Sequence, residues 1–147
     1  MFKNILKSLW LPAILIFTLF GLAACSGASA NNATPTPVDV TVTLTDFKID
    51  SSITTFKVGV PYHFTITNNG SVNHEFDVMP PMSDPVSPET VLADSVAHVN
   101  QDQLNPGATA TLDYTFTKTY PAGTLEFACH LPGHYEAGMH TGIVVTQ

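Results

Sequence analysis

The chain of 147 residues has no arginine and only five lysines. Phosphate-binding surfaces rely on clustered Lys and Arg, so nucleic acid is excluded as a partner class. Cysteine is nearly as scarce, with only Cys25 and Cys129 present. If Cys25 is committed elsewhere, Cys129 has no disulfide partner. An unpaired thiol in an exported domain is then buried and inert, reactive, or metal-bound. No apolar run reaches the roughly 20 residues of a membrane-spanning helix, and no segment repeats.

The N-terminus holds what apolar length there is. Lys3 and Lys7 precede LWLPAILIFTLFGLAA, which ends at Cys25. A basic start, a hydrophobic middle and small residues before a cut are the layout of a secretory signal. The ending Leu22-Ala23-Ala24-Cys25 resembles the lipobox of bacterial lipoproteins. That resemblance implies a signal over 1–24 and a lipidated Cys25 anchored on the extracytoplasmic face of a bacterial membrane, periplasmic or at the cell surface. The segment SGASANNATPTPV is small and polar with two prolines, and reads as a flexible tether over 25–37. One domain is expected over 38–147, a normal size for a single core. Without the signal, three lysines face twelve acidic residues, a formal charge of −9. A basic protein partner suits such a surface, because opposite charge speeds encounter.

From Val38 the pattern has period two. Val38, Val40, Val42 and Leu44 alternate with Asp39, Thr41, Thr43 and Thr45, which predicts a half-buried strand. Further strands are expected over 55–60, 62–68, 75–79, 110–117, 125–129 and 142–146, with turns at NNGS and at Asn105-Pro106-Gly107. Residues 89–99 lose the alternation behind Ser87-Pro88-Glu89, a helix-start pattern. Val91, Leu92, Val96 and Val99 can share one short helical face there, so a helical or irregular insertion is expected. Seven or eight short strands with little helix point to an all-β antiparallel sandwich or barrel.

The chemistry concentrates in FACHLPGHYEAGMH. Cys129, His134 and Met139 fall at equal spacings of five, around Pro132-Gly133 and Ala137-Gly138, where the chain must bend. Thiolate, imidazole and thioether form a soft donor set that selects copper over magnesium, calcium or manganese. His74, just after the NNGS turn, is the upstream candidate for a second imidazole. Two His and one Cys with a weak axial Met make the blue-copper electron-transfer geometry.

Over 38–147 the chain resembles the cupredoxins, the type 1 blue-copper proteins. The loop CHLPGHYEAGM most resembles the rusticyanin and auracyanin branch, and its AGM ending is also similar to plastocyanin, whose Cys-to-His interval is shorter. The resemblance implies a Greek-key β-sandwich holding one copper ion per chain near one end. It also implies His74, Cys129, His134 and Met139 as ligands, and His134 as the electron exit with Leu131, Pro132 and Tyr135 at its rim. The function implied is single-electron transfer cycling Cu(II) and Cu(I), without substrate turnover. Redox proteins, such as a basic cytochrome or a membrane respiratory or photosynthetic complex, are the expected partners. One departure is Glu75, where many cupredoxins place an Asn or Ser that braces the Cys loop. A carboxylate accepts such a bond but cannot donate one. Pro132 likewise offers no N–H on the sulfur side.

Single residues read differently. Strand alternation sends His130 to the side opposite Cys129, and His140 is expected at the surface beside the site. His63 and His98 read as structural or solvent-exposed, and Met79 and Met82 as core or loop filling. His130, His140, Met79 and Met82 nevertheless keep open a second function, copper sequestration or resistance. An oxidase or nitrite reductase needs further copper centres. The chain has no His-x-His pair and no room for a second such domain, and a binuclear site needs a second cysteine in the loop.

Overall fold

A computed structural model describes residues 35–82 and 86–147. The predicted signal, the lipidation at Cys25 and most of the tether fall outside the described residues. No helix among those described is long and apolar enough to cross a membrane.

Among the described residues, nine strands build two sheets, one or two more than the pattern predicts. The first sheet has the order β2-β1-β4-β7, from Lys48–Ser51, Val38–Thr45, Pro61–Asn68 and Thr109–Thr115. The second has the order β3-β9-β8-β5-β6, from Thr55–Lys57, His140–Thr146, Tyr120–Ala128, Phe76–Met79 and Ala97–Val99. β1 pairs with β4 and β3 with β9 in parallel, and the other pairs are antiparallel. The expected Greek-key sandwich is therefore present.

Alternation decides which faces meet. Val40, Val42 and Leu44 from β1 and Tyr62, Phe64 and Ile66 from β4 are buried between the sheets. Aromatic rings fill the centre: Phe56 lies 5.2 Å from Phe116, and Phe76 4.9 Å from Phe127, centroid to centroid. Val38, placed on the same face by pattern, is exposed where the strand begins.

The insertion differs from expectation. Ser87 caps a helix, α1 (Pro88–Asp94), by accepting from the Thr90 N–H, and Pro88 occupies the first turn. Within the helix only Val91 is buried; Leu92 is exposed. Val96 and Val99 do not share its face. The chain leaves the helix at Ser95, and residues 97–99 pair with β5 as an edge strand. Three residues are too short for a pattern to distinguish a strand from a frayed helix. β2 was missed for the same reason.

Candidate metal centre

The sandwich brings three segments to one of its ends. His74 lies two residues before β5, Cys129 immediately follows β8, and Met139 immediately precedes β9. Adjacent strands β5, β8 and β9 therefore fix where the three residues stand. The loop between β8 and β9 is held by backbone bonds. Cys129 N–H donates to the Met139 carbonyl (3.1 Å), Met139 N–H to His134 (3.0 Å) and His134 N–H to Leu131 (2.9 Å). Gly133 and Gly138 take φ of 84° and 98°, a left-handed conformation that glycine adopts without steric cost. Across the site, buried Asn68 clamps the His74 segment. Its amide donates to the carbonyls of Val72 (2.8 Å) and Leu104 (2.7 Å), and its oxygen accepts from Gly70 N–H (2.8 Å).

The result is a convergence of donors. His74 Nδ1 lies 3.2 Å from His134 Nδ1, which lies 3.3 Å from Cys129 Sγ. Among the described residues, these three form the group of His, Cys or carboxylate donors whose ligand atoms all lie within 4.8 Å of one another. His74 and Cys129 are fully buried and His134 is half-buried, its outer edge toward solvent. Met139 is fully buried, with its backbone tied to both Cys129 and His134. All four predicted ligands are thus gathered at one place. Two imidazole nitrogens facing each other beside a thiol satisfy one another poorly as hydrogen-bond partners. They suit a soft or borderline cation placed between them.

Electrostatics favour the same occupant. Burial lowers the His74 pKa, and the neighbouring His134 lowers it further; burial also lowers that of His134. Both imidazoles are therefore kept neutral, the form that binds metal. Burial pushes the Cys129 thiol up to about 12. The free protein holds a thiol there, and a metal ion has to displace its proton. The backbone N–H groups of Glu75 and Leu131 oppose that rise. They supply the stabilisation of sulfur that Pro132 cannot. The Glu75 carboxylate accepts from His130 N–H at 3.1 Å, so it braces the Cys loop as an acceptor.

Sequence reasoning missed the turn between β1 and β2. Asp46 accepts from Ser71 N–H (2.8 Å) and Ser71 Oγ–H (2.7 Å), which holds its Oδ1 3.7 Å from His74 Nε2. That separation is too long for a hydrogen bond and is an electrostatic contact. Gly70 is required beneath it, because a Cβ there would lie 2.5 Å from Asp46 Oδ1 and 2.7 Å from His74 Nε2. The next residue, Phe47, has φ 65° although it is not glycine, and its exposed ring meets His134 edge-on at 5.5 Å. Strained non-glycine backbone of this kind concentrates at functional sites. An Asp in a two-residue turn is legible locally, but the imidazole it faces is not.

The remaining predicted candidates lie elsewhere. His130 is buried on the far side of the loop, as alternation predicted, and stacks on Tyr135 at 4.5 Å; Tyr135 stacks on His140 at 4.4 Å. Tyr135 is therefore held in the loop by a ring on each side. His63 pairs with Asp113. Met79 is buried on β5, 3.8 Å from Ser95 Oγ, and Met82 is half-buried.

A two-sheet sandwich with a His, Cys, His and Met set at one end defines the cupredoxin fold, with the donor complement of one type 1 copper site. Solved structures agree. Over 77% of this chain and 99% of the other, the fold superposes on reduced auracyanin from the photosynthetic bacterium Roseiflexus castenholzii with a TM-score of 0.56 and 17% identity. In sequence, the chain is 32% identical over 110 residues to the copper-resistant cuproprotein CopI of Rubrivivax gelatinosus, matching 72% of this chain and 65% of that protein. It is 55% identical over 40 residues to the CopI of Pseudomonas aeruginosa, 27% of this chain and 20% of that protein. The chain thus spans less than two thirds of the length of either relative. No protein-family model matches it.

Proposed function

We propose that this protein is a blue-copper electron carrier, holding one copper ion through His74, Cys129, His134 and Met139. The observation that carries this reading is the 3.2 Å and 3.3 Å convergence of His74 Nδ1, His134 Nδ1 and Cys129 Sγ. Copper held there would supply a one-electron Cu(II)/Cu(I) couple. The residues do the rest. His74 is locked by β5, Asn68 and the packed Gly70, and Cys129 by β8 and the Glu75 bond, so the donors stay in place when charge changes. Small reorganisation favours rapid transfer. His134 is the ligand whose edge reaches solvent, with Phe47 against it, and is the natural exit for an electron.

The chain works without turning over a substrate, outside the cytoplasm, tethered to a membrane through lipidated Cys25. Its partners are redox proteins, a basic cytochrome or a membrane respiratory or photosynthetic complex. The acidic surface supports a basic partner. A second reading, copper sequestration or resistance, is favoured by the relatives' description as copper-resistant cuproproteins.

The optical spectrum of the copper-loaded full chain tests the main reading. An intense visible thiolate-to-copper band that Cys129→Ser abolishes is expected, and its absence from fully loaded protein would sink the reading. Electron exchange with a basic cytochrome should slow as salt is added.

A further inference from the structure

Behind the Cys129 loop, a cavity of about 230 Å³ opens between the loop, α1 and the edge strand β6. Glu75, His98 and His130 bring polar groups to its lining, and Val91, Leu131 and Pro132 are among its apolar walls. No lysine lines it. His98 is built as metal-binding histidines are built. Its Nδ1 lies 2.5 Å from Oδ1 of Asp77, a fully buried carboxylate directly opposite on β5. A carboxylate accepting the Nδ1 proton fixes the tautomer, orients the ring and makes the other nitrogen more basic. That other nitrogen, Nε2, is buried and has no hydrogen-bond partner. Oδ2 of Asp77 is likewise buried without one.

Glu75 and His98 thus line one cavity, with Asp77 held behind the imidazole on Nδ1. A cation bound in the cavity would meet the Glu75 carboxylate and no lysine. Imidazole with carboxylate suits a borderline divalent ion, and among the first-row metals Cu(II) stands at the top of the affinity order for such donors.

We propose that this cavity is a second cation site, taking Cu(II) through His98 Nε2 and the Glu75 carboxylate. It backs onto the first site, since Glu75 follows His74 and His130 follows Cys129. The two sites differ in kind. Glu75, His98 and His130 do not form a closed triad, because the three-donor group within 4.8 Å among the described residues is the other one. An ion in the cavity keeps water ligands, for which there is room, and is held more weakly. The site does not depend on Cys129, so it stands or falls separately from the blue-copper reading.

Cu(II) titration of the full chain, followed by electron paramagnetic resonance, reads the site. The expected result is a second ion per chain with nitrogen coupling and no added thiolate band. It should persist in Cys129→Ser and in His140→Ala. His98→Gln should abolish it while leaving the visible thiolate band in place, which also reports that the variant is folded. Asp77→Asn should weaken it about ten- to a hundredfold. One ion per wild-type chain, or a second ion retained by His98→Gln, overturns the proposal. Copper-soaked wild-type crystals give a check that needs no variant. An anomalous peak beside His98 Nε2 supports the site, and a second peak only at His63 or His140 refutes it.

Discussion

The two sides of the loop between β8 and β9 use the same residue types for opposite ends. On the inner side, His74 and His134 meet through their Nδ1 atoms, 3.2 Å apart, with Cys129 Sγ against them. On the outer side, His130, Tyr135 and His140 meet through their ring faces, 4.5 Å and 4.4 Å between centroids and 14° and 20° between planes. Edges that converge make a ligand set, whereas faces that stack make a clamp. Glu126 completes the clamp, accepting from Tyr135 Oη–H at 2.7 Å and lying 3.3 Å from His140 Nδ1. A histidine count along the loop cannot separate these uses; ring orientation does. The extra histidines that suggested copper handling are largely explained as packing.

The comparison breaks most completely at Cys129. Cys129→Ser should remove the visible copper band altogether while the outer stack keeps the loop in place, measured by optical spectroscopy with near-UV circular dichroism.

Glu75 lies between the two sides, and its titration comes next. Its native pKa of about 7 lies above the ordinary value of 4.5, so the folded state binds more protons than the unfolded state between those values. His98 is also raised, chiefly by its bond to Asp77. Both contributions are full at acid pH and are lost as pH rises, Glu75 between about 4.5 and 7 and His98 above 6.5. Metal-free protein should therefore lose stability across that window in urea titrations, and Glu75→Gln should flatten the lower part.

Gly70→Ala should cost about 1–3 kcal/mol of stability through overpacking. It should also shift the visible spectrum, because the new methyl pushes on both Asp46 and the His74 ring. Asp46→Asn is milder for folding. Removing the charge beside His74 should raise the reduction potential and weaken Cu(II) binding about tenfold, as losses of outer carboxylate partners commonly do. Equilibrium titration against a redox mediator and a competing chelator would read both. Tyr135→Phe is the smallest change. It keeps the stack and removes the bond to Glu126, costing about 1 kcal/mol in thermal unfolding with the copper band unaltered. If the band moved as far as in Asp46→Asn, the division between ligand side and clamp side would fail.

The ligands were legible because their spacing is local. Cys129, His134 and Met139 sit in one bent loop, and soft donors at such intervals have few other uses. His74 was legible only as a histidine after a turn, joined to the rest by resemblance. Among the longer strands, β1, β4 and β7 were legible from period two, because one face of each meets the core. The short strands β2 and β6 were not, since three or four residues carry too little pattern. Asp46, Gly70 and Phe47 were invisible as site residues. Their roles come from the β1–β2 turn lying over the His74 segment, a meeting of residues some twenty-five positions apart. The same holds for Asp77 and His98, brought into register by β5 and β6.

By itself the sequence determined which atoms can bind metal and that alternating strands would bury a common core, because donor chemistry and side-chain period are properties of residues and their neighbours in the chain. Only the tertiary structure decided which histidines present an edge and which a face, which carboxylate stands behind each ring, and where a cavity is left. Those outcomes depend on the packing of strands that are distant in sequence, and no local pattern encodes the angle at which two rings meet.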